Sequence, residues 1–228
     1  MSTLYAIPTP LAGSAADALP VSALLVVRSL RDFVVENAKT ARAFLKSAAC
    51  DPKQVRIQEL DDRTSIHALL EPIRQNRPLG LLSEAGCPAI ADPGALLVEA
   101  AHREGIRVVP LVGPSSIVLA LMASGLEGQR FAFCGYLPRE AAERKRRIRE
   151  IERRSRQERE TQIFIETPYR NDVLAAALLA VCSPDTMLCM ASNLTLPAER
   201  IETRAVLQWR RTGSSRGKAP TVFLLLAK

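Results

Sequence analysis

The chain has 228 residues, 47% hydrophobic and 24% charged, a composition that excludes disorder as its main state and leaves room for one large domain or two small ones. No uncharged apolar run approaches the ~18 residues that span a bilayer, so no membrane span is expected. The net charge of +7 is uneven: residues 139–160 carry ten Lys/Arg against six Glu, residues 203–228 carry six against no acid, and the remainder is mildly acidic.

In chain order, short apolar-rich runs bounded by polar, Pro or Gly residues predict strands at 4–7, 32–36, 56–60, 79–83 and 108–111. Helical patterns at 38–49 and 63–75 follow the second and third strands, and one at 95–104 follows the fourth. Another, at 115–124, opens at Pro114 or Ser115 and closes at Gly125. This βα alternation predicts a mostly parallel sheet with helices on both faces. After Gly125 the order changes to a strand at 131–136, a long charged helix to Gln157, a strand at 161–166 and an Ala-rich buried helix at 172–181. Strands at 187–192, 199–205 and 221–226 follow, the last reached across a Gly/Ser loop at 213–217. Strands that adjoin without helices predict a mixed sheet. The expected architecture is therefore two α/β halves, 1–113 and 114–228, each a sheet layered with helices.

Ligands of open α/β sheets sit at the carboxyl ends of the strands, which directs attention to three turns. The first, Pro8-Thr-Pro10-Leu-Ala-Gly13, leaves strand one in a rigid extended form because its prolines forbid an immediate helix. The second runs from Ser83 through Glu84, Ala85, Gly86, Cys87 and Pro88 to Asp92-Pro93-Gly94, with Asp92 placed to cap a helix starting at Pro93. In the third, Val112-Gly113-Pro114-Ser115-Ser116, two hydroxyls and backbone amides gather at a helix start. Each of the last two also reads simply as a turn and a cap.

Other chemistries fail on spacing. There is no G-x-G, hence neither a dinucleotide fingerprint nor the glycine-rich loop many methyltransferases place after strand one, and the G-x-S-x-G string at Gly213–Gly217 lies in a loop too near the C-terminus to open the helix that a hydrolase elbow needs. The five cysteines contain no C-x-x-C pair and have only His67 and His102 to join them, which argues against a disulfide framework or a metal site. His67 and Glu71, one helical turn apart, read as a surface ion pair. The N-terminus has neither a secretory nor an import pattern, so a cytoplasmic protein is expected. The basic segments fit a polyanion such as RNA, which would contact residues 144–159. Against that, Glu143–Arg147, Arg146–Glu150 and Glu152–Arg156 are spaced i,i+4, as on a self-supporting solvated helix.

Six strings occur in an order that goes beyond this reading: Leu4-Tyr-Ala-Ile-Pro-Thr-Pro-Leu11, Leu82-Ser-Glu-Ala-Gly-Cys-Pro-Ala-Ile-Ala-Asp-Pro-Gly94, Val108-Val-Pro-Leu-Val-Gly-Pro-Ser-Ser116, Ala123-Ser-Gly-Leu126, Arg130-Phe-Ala-Phe-Cys-Gly-Tyr-Leu-Pro138 and Ile163-Phe-Ile-Glu-Thr-Pro-Tyr-Arg170. Together they resemble the tetrapyrrole methylase superfamily, and within it most the branch that methylates a cytidine 2′-hydroxyl of small-subunit ribosomal RNA. The resemblance implies a two-domain methyltransferase, usually a homodimer, that folds S-adenosylmethionine (SAM) into the cleft between its halves. It implies that Pro10, Ser83, Glu84, Ala85, Gly86, Asp92, Gly113, Ser115 and Ser116 serve the cofactor from the first half. From the second half it implies Tyr136, Glu166, Thr167 and the turn after Ser192, with Asn193 and Thr195. Glu36 is the first choice for a base acting on a ribose hydroxyl and Glu166 the second.

The departures fall where the substrate is expected to approach. Where the ribosomal branch has Ala-Glu-Asp-Thr-Arg, this chain has Val35-Glu-Asn-Ala-Lys39; Arg-Glu-Leu-Thr-Lys is Ser192-Asn-Leu-Thr-Leu196; and a His-Asn-Glu segment is replaced by Asp61-Asp-Arg63. Three accounts follow: RNA methylation, SAM-dependent methylation of a tetrapyrrole or other small molecule, and a SAM-binding protein that has lost catalysis. A homodimer could draw on the apolar segment 11–27, which equally suits packing within its own lobe.

Overall fold

The computed structural model describes residues 3–61 and 64–228, so Asp62 and Arg63, including the predicted start of the third-strand helix, lie outside the described residues. The chain divides into two compact units, Met1–Ser115 and Ser116–Lys228.

In the first unit, β1 (Thr3–Ile7), β2 (Asp32–Val35), β3 (Arg56–Glu59), β4 (Leu79–Leu82) and β5 (Arg107–Pro110) form one sheet in the order β3-β2-β4-β1-β5. Every pairing is parallel. Parallel neighbours need crossovers, which α1 (Ala15–Ala18), α2 (Val21–Ser29), α3 (Ala38–Ser47), α4 (Ile66–Leu69), α5 (Glu71–Arg74) and α6 (Ala95–Arg103) supply. The two-residue strand period sorts side chains between the faces. Ile7, Phe33, Val35 and Leu82 pack against Leu24, Val27, Phe44 and Leu45 of α2 and α3. Leu4, Val34, Leu79 and Leu81 pack against Leu69, Ile73, Leu97 and Ala101 on the other face. At the amino end of β2, buried Asp32 accepts two 2.6 Å bonds from Arg56 and one of 3.1 Å from Arg77, and the Arg56 pairing above all holds its carboxyl below the usual range.

The second unit holds α7 (Ser116–Ser124), β6 (Phe131–Tyr136), α8 (Ala141–Glu158), β7 (Thr161–Ile165), α9 (Asn171–Val181), β8 (Met187–Ser192), β9 (Arg200–Ala205), α10 (Val206–Thr212) and β10 (Thr221–Leu226). The strands run in the order β6-β7-β10-β8-β9. Only β6 and β7, joined through α8, are parallel; β7, β10, β8 and β9 pair antiparallel. The sheet is mixed because α8 carries the chain back to set β7 parallel to its neighbour β6, whereas a turn joins β8 directly to its antiparallel neighbour β9. Ile148, Ile151, Leu174, Leu178 and Trp209 pack on Phe164, Leu188, Met190 and Phe223, with the two phenylalanine rings stacked at 5.9 Å.

Several local expectations change. Helix 63–75 is two short helices broken at Leu70, since Pro72 has no amide to donate and its ring crowds the preceding turn. With that break His67 turns to Glu104, Nδ1 to Oε1 at 2.9 Å, and Glu71 pairs with Arg74 instead. Two helices not predicted from the pattern, α1 and α2, occupy the stretch after β1. Leu19, Ala23, Leu24 and Val27 point into the core, which leaves Val21 and Leu25 as the exposed apolar residues of α2. The short α10 was hidden within a basic stretch, although Val206 and Trp209, three apart, are its buried face. Among the described residues no helix is long and apolar enough to cross a membrane.

Candidate functional site

The crossover after β1 packs on one face of the first sheet and the crossover after β4 on the other, and these two strands are neighbours. Diverging connections open a crevice at the carboxyl ends of such a pair, the place where ligands of α/β sheets bind. Here the loops are stitched across it. Thr9 and Gly86 exchange backbone bonds of 2.8 and 3.0 Å, and Ser83 Oγ donates to Gly86 O at 3.1 Å. Cys87 Sγ donates to Pro114 O at 3.4 Å, and the Glu84 amide donates to Glu36 Oε2 at 3.2 Å. A Cβ on Gly113 would stand 2.5 Å from Pro8 Cβ, so only glycine lets the loop after β5 lie against the loop after β1.

This arrangement gathers Pro10, Ser83, Glu84, Ala85, Gly86, Asp92, Gly113 and Ser115 on loops at one end of the sheet. Glu36 joins them through its bond to Glu84, and Oε1 of Glu36 has no partner among the described residues. The loop from β4 to α6 is strained: Ala89 and Ala91 have φ of 66° and 65°, values that cost an L-residue about 1–2 kcal/mol each.

Asp92 does not cap the following helix. That helix starts at Ala95 with Gly94, at φ 126°, as its N-cap and no side-chain bond there. The Asp92 carboxyl instead lies near Ser83, within reach of the Glu36 and Glu84 charges. Burial first, and then those two negative charges, push it up from 3.8 to about 6. A raised acid favours the folded state fully below the unfolded value and loses that contribution as pH climbs through the folded one. Asp92→Asn imitates the protonated form. It is expected to melt with wild type near pH 4 and to gain over it as pH rises to about 6, reaching about 1 kcal/mol after discounting for solvent screening. Paired melting curves at pH 4 and pH 8 with no widening gap would refute this.

In the second unit, Tyr136, Leu137, Arg139, Glu166, Thr167 and Arg170 line a cavity of about 270 Å³. A register shift between Phe133 and Tyr136 bends the end of β6 and leaves Tyr136 exposed. Glu166, just past β7, is buried; its Oε1 accepts the Thr167 amide at 2.8 Å. Oε2 is 3.2 Å from an Arg170 nitrogen, an ion pair whose geometry leaves that oxygen without a hydrogen bond. Tyr136, Glu166 and Thr167 thus share a cavity, as Asn193 and Thr195 do not. Those two form the turn after β8, at φ 53° and 69°, where the Asn193 amide donates to Pro220 O at 2.9 Å and the Thr195 amide to Glu199 Oε2 at 2.9 Å. Arg139 and Arg170 were missed from sequence, though Arg170 stands four residues after Glu166. Ser116 opens α7 in the second unit.

Asn37 caps α3, accepting the Lys39 and Thr40 amides at 2.9 and 3.3 Å. The basic segments divide into structural and free charges. Arg144 is buried and donates to Arg139 O at 2.8 Å, which removes it from the expected RNA-contact set. Glu152 is buried too, accepting the Ser183 amide at 2.7 Å, so it does not pair with Arg156. Arg147 pairs with Glu150 rather than Glu143, and only Arg146–Glu150, at 3.8 Å, keeps its i,i+4 partner. In the C-terminal segment Arg204 and Arg216 bind Glu202 and lie over Trp209, while Arg210 donates to Leu179 O and Cys182 O. Among the described residues no three His, Cys, Asp or Glu side chains are grouped to hold a metal ion.

The family model described as Tetrapyrrole (Corrin/Porphyrin) Methylases matches residues 11–208. A Vibrio cholerae protein named ribosomal RNA small subunit methyltransferase I is 31% identical over 225 residues, covering 97% of this chain and 76% of that one. Its namesake from Escherichia coli O157:H7 is 30% identical over 225 residues, covering 97% and 77%. Among solved structures, the methyltransferase CobJ superposes with a TM-score of 0.67 at 16% identity, covering 100% of this chain and 95% of that one. Diphthine synthase does so at 0.66 and 16%, covering 100% and 90%. At these identities the likeness to the structures is one of fold.

Proposed function

Because the chain belongs to the tetrapyrrole methylase family, and is therefore a methyltransferase that draws on a methyl donor, we propose that it transfers a methyl group from SAM to a ribose 2′-hydroxyl of ribosomal RNA in the cytoplasm. The observation that carries the RNA reading is likeness along 97% of the chain to proteins named for small-subunit ribosomal RNA. SAM supplies an activated methyl on a sulfonium. Its zwitterionic tail and adenine call for backbone donors, a carboxylate and a partly apolar slot.

The residues present fit those needs. Glu166 Oε2 is buried and lacks a hydrogen bond, so it offers an acceptor in a cavity whose wall includes Tyr136 and Leu137. On the first unit the Ser83–Pro88 loop and Gly113 bring backbone close together at the crevice. Pro10, Ala85, Ser115, Ser116, Thr167, Asn193 and Thr195 complete the proposed binding set. Methyl transfer is an in-line displacement, so the protein's work is to align the acceptor, exclude water and remove the hydroxyl proton. Oε1 of Glu36 is the proposed proton acceptor, held by the Oε2 bond to Glu84.

Transfer of radiolabelled methyl from SAM to total RNA and to a small-molecule extract tests the reading. Label in small-subunit RNA at a ribose supports it; label only in the extract favours a tetrapyrrole or other small acceptor. SAM binding without transfer to either favours lost catalysis, for which the replaced acid at Asn37 is the specific motive.

A homodimer is part of the same proposal, supported by Val21 and Leu25, exposed one helical turn apart on α2. Sedimentation at micromolar protein is expected to give twice the chain mass, and a clean monomer would remove the dimer.

A further inference from the structure

We infer that one flank of α8 is the surface that holds the RNA backbone, an inference that rests on the RNA reading above and names where the substrate is gripped. At about 100° per residue, Lys145, Arg146, Arg149, Arg153 and Arg156 fall within an arc of about 100°. No acid shares that arc. Glu143, Glu150 and Glu158 lie beyond it, and Glu152 is buried on the inward side. Within the arc Arg156 is committed, donating to Lys228 O at 2.8 Å, and Arg146 has only the 3.8 Å contact with Glu150. Lys145, Arg149 and Arg153 are exposed and have no partner among the described residues.

A helix that needed its charges only for solvation would pair them, as Arg147 and Glu150 pair at 3.3 Å on the other flank. The free flank leaves three long cations at successive turns, spread over about 12 Å of axis, a spacing suited to following several phosphates. It does not suit a lipid surface. An interfacial helix presents an apolar side, and here Ile148 and Ile151 are buried in the unit's own core. The helix is also fixed in place, since Arg144 caps the preceding chain at Arg139 O and Glu152 ties it to Ser183. The backbone that carries the row is already ordered, so binding phosphate has only the side chains left to order.

The test measures binding of a fluorescein-labelled fragment of small-subunit ribosomal RNA across a salt series. Replacing Lys145, Arg149 and Arg153 together by Gln is expected to flatten the log–log salt plot by about two to three, at roughly 0.7 to 0.9 per lost phosphate contact. The control, Arg147→Gln with Arg154→Gln on the paired flank, is expected to leave the slope near wild type, and SAM affinity by calorimetry is expected to stay unchanged in both. An unchanged slope in the triple variant, while wild type still binds, overturns the flank alone. Equal flattening in the control does the same. Absence of salt-dependent RNA binding by wild type overturns the flank together with the RNA reading, and undiminished methyl transfer to a small molecule then identifies which acceptor class remains.

Discussion

Glu36→Gln is expected to lower kcat for methyl transfer by about a hundredfold to ten-thousandfold, the range for losing a positioned general base, while SAM affinity changes little. The substitution keeps the shape and keeps an oxygen to accept the Glu84 amide, which is 3.2 Å from Oε2 in the native chain. It removes the basicity of the other oxygen. Glu166→Gln separates the two carboxylates. Glu166 sits in the second unit's cavity beside Arg170, so its loss is expected to weaken SAM binding more than it slows turnover. Single-turnover rates at saturating SAM, with affinity measured separately, distinguish these outcomes. Should Glu36→Gln turn over at the wild-type rate, the proton goes elsewhere, and Asp92, whose carboxyl is influenced by the charges of Glu36 and Glu84, becomes the next residue to replace.

Gly86→Val should reduce SAM affinity at least about a hundredfold, equivalent to ~2.8 kcal/mol. Gly86 has φ +83°, a region that costs a side-chain-bearing residue about 1–2 kcal/mol and a β-branched one more. A Cβ there would already be 3.4 Å from Leu11 Cδ2, so the two γ-carbons of valine have to displace that side chain or the loop. The backbone bonds of Gly86 to Thr9 lie at the crevice between β1 and β4, and moving them moves the loop proposed to meet the donor. Gly86→Ala carries most of the torsional cost with less steric demand and is expected to fall between. Retained far-ultraviolet circular dichroism, with Tm lowered by a few degrees, would show that the unit still folds. Unchanged calorimetric affinity in the valine variant would take this loop out of the site.

Much of this protein is written locally. The five strands of the first sheet were legible because each is a short aliphatic run between breakers, and their parallel pairing followed from the helices between them. The mixed second sheet was legible from β8 and β9, which adjoin without a helix, although α10 lies between β9 and β10. The three polar turns and the ordered motifs pointed to strand ends and to a methyltransferase family. The two helices after β1 were missed because Pro8 and Pro10 signal extended chain, whereas Pro20 stands at the N-cap of α2.

What the sequence left open depends on through-space neighbours. Asp92 has the spacing of a cap, yet the charges that act on it are Glu84 of its own loop and Glu36, which the pairing of β2 with β4 brings within range from another crossover. Arg144 and Glu152 look like members of a solvated charge run until α8 is seated on its sheet with Ile148 and Ile151, and then both face inward. Glu166 and Arg170 become a cavity wall only when the end of β6 bends beside them. Periodicity records which side of an element is buried, because burial follows from the turn of the helix and the pleat of the strand. Which charges meet, and which stay free, is set by the packing of elements distant in sequence, since Coulomb and hydrogen-bond energies depend on separation in space.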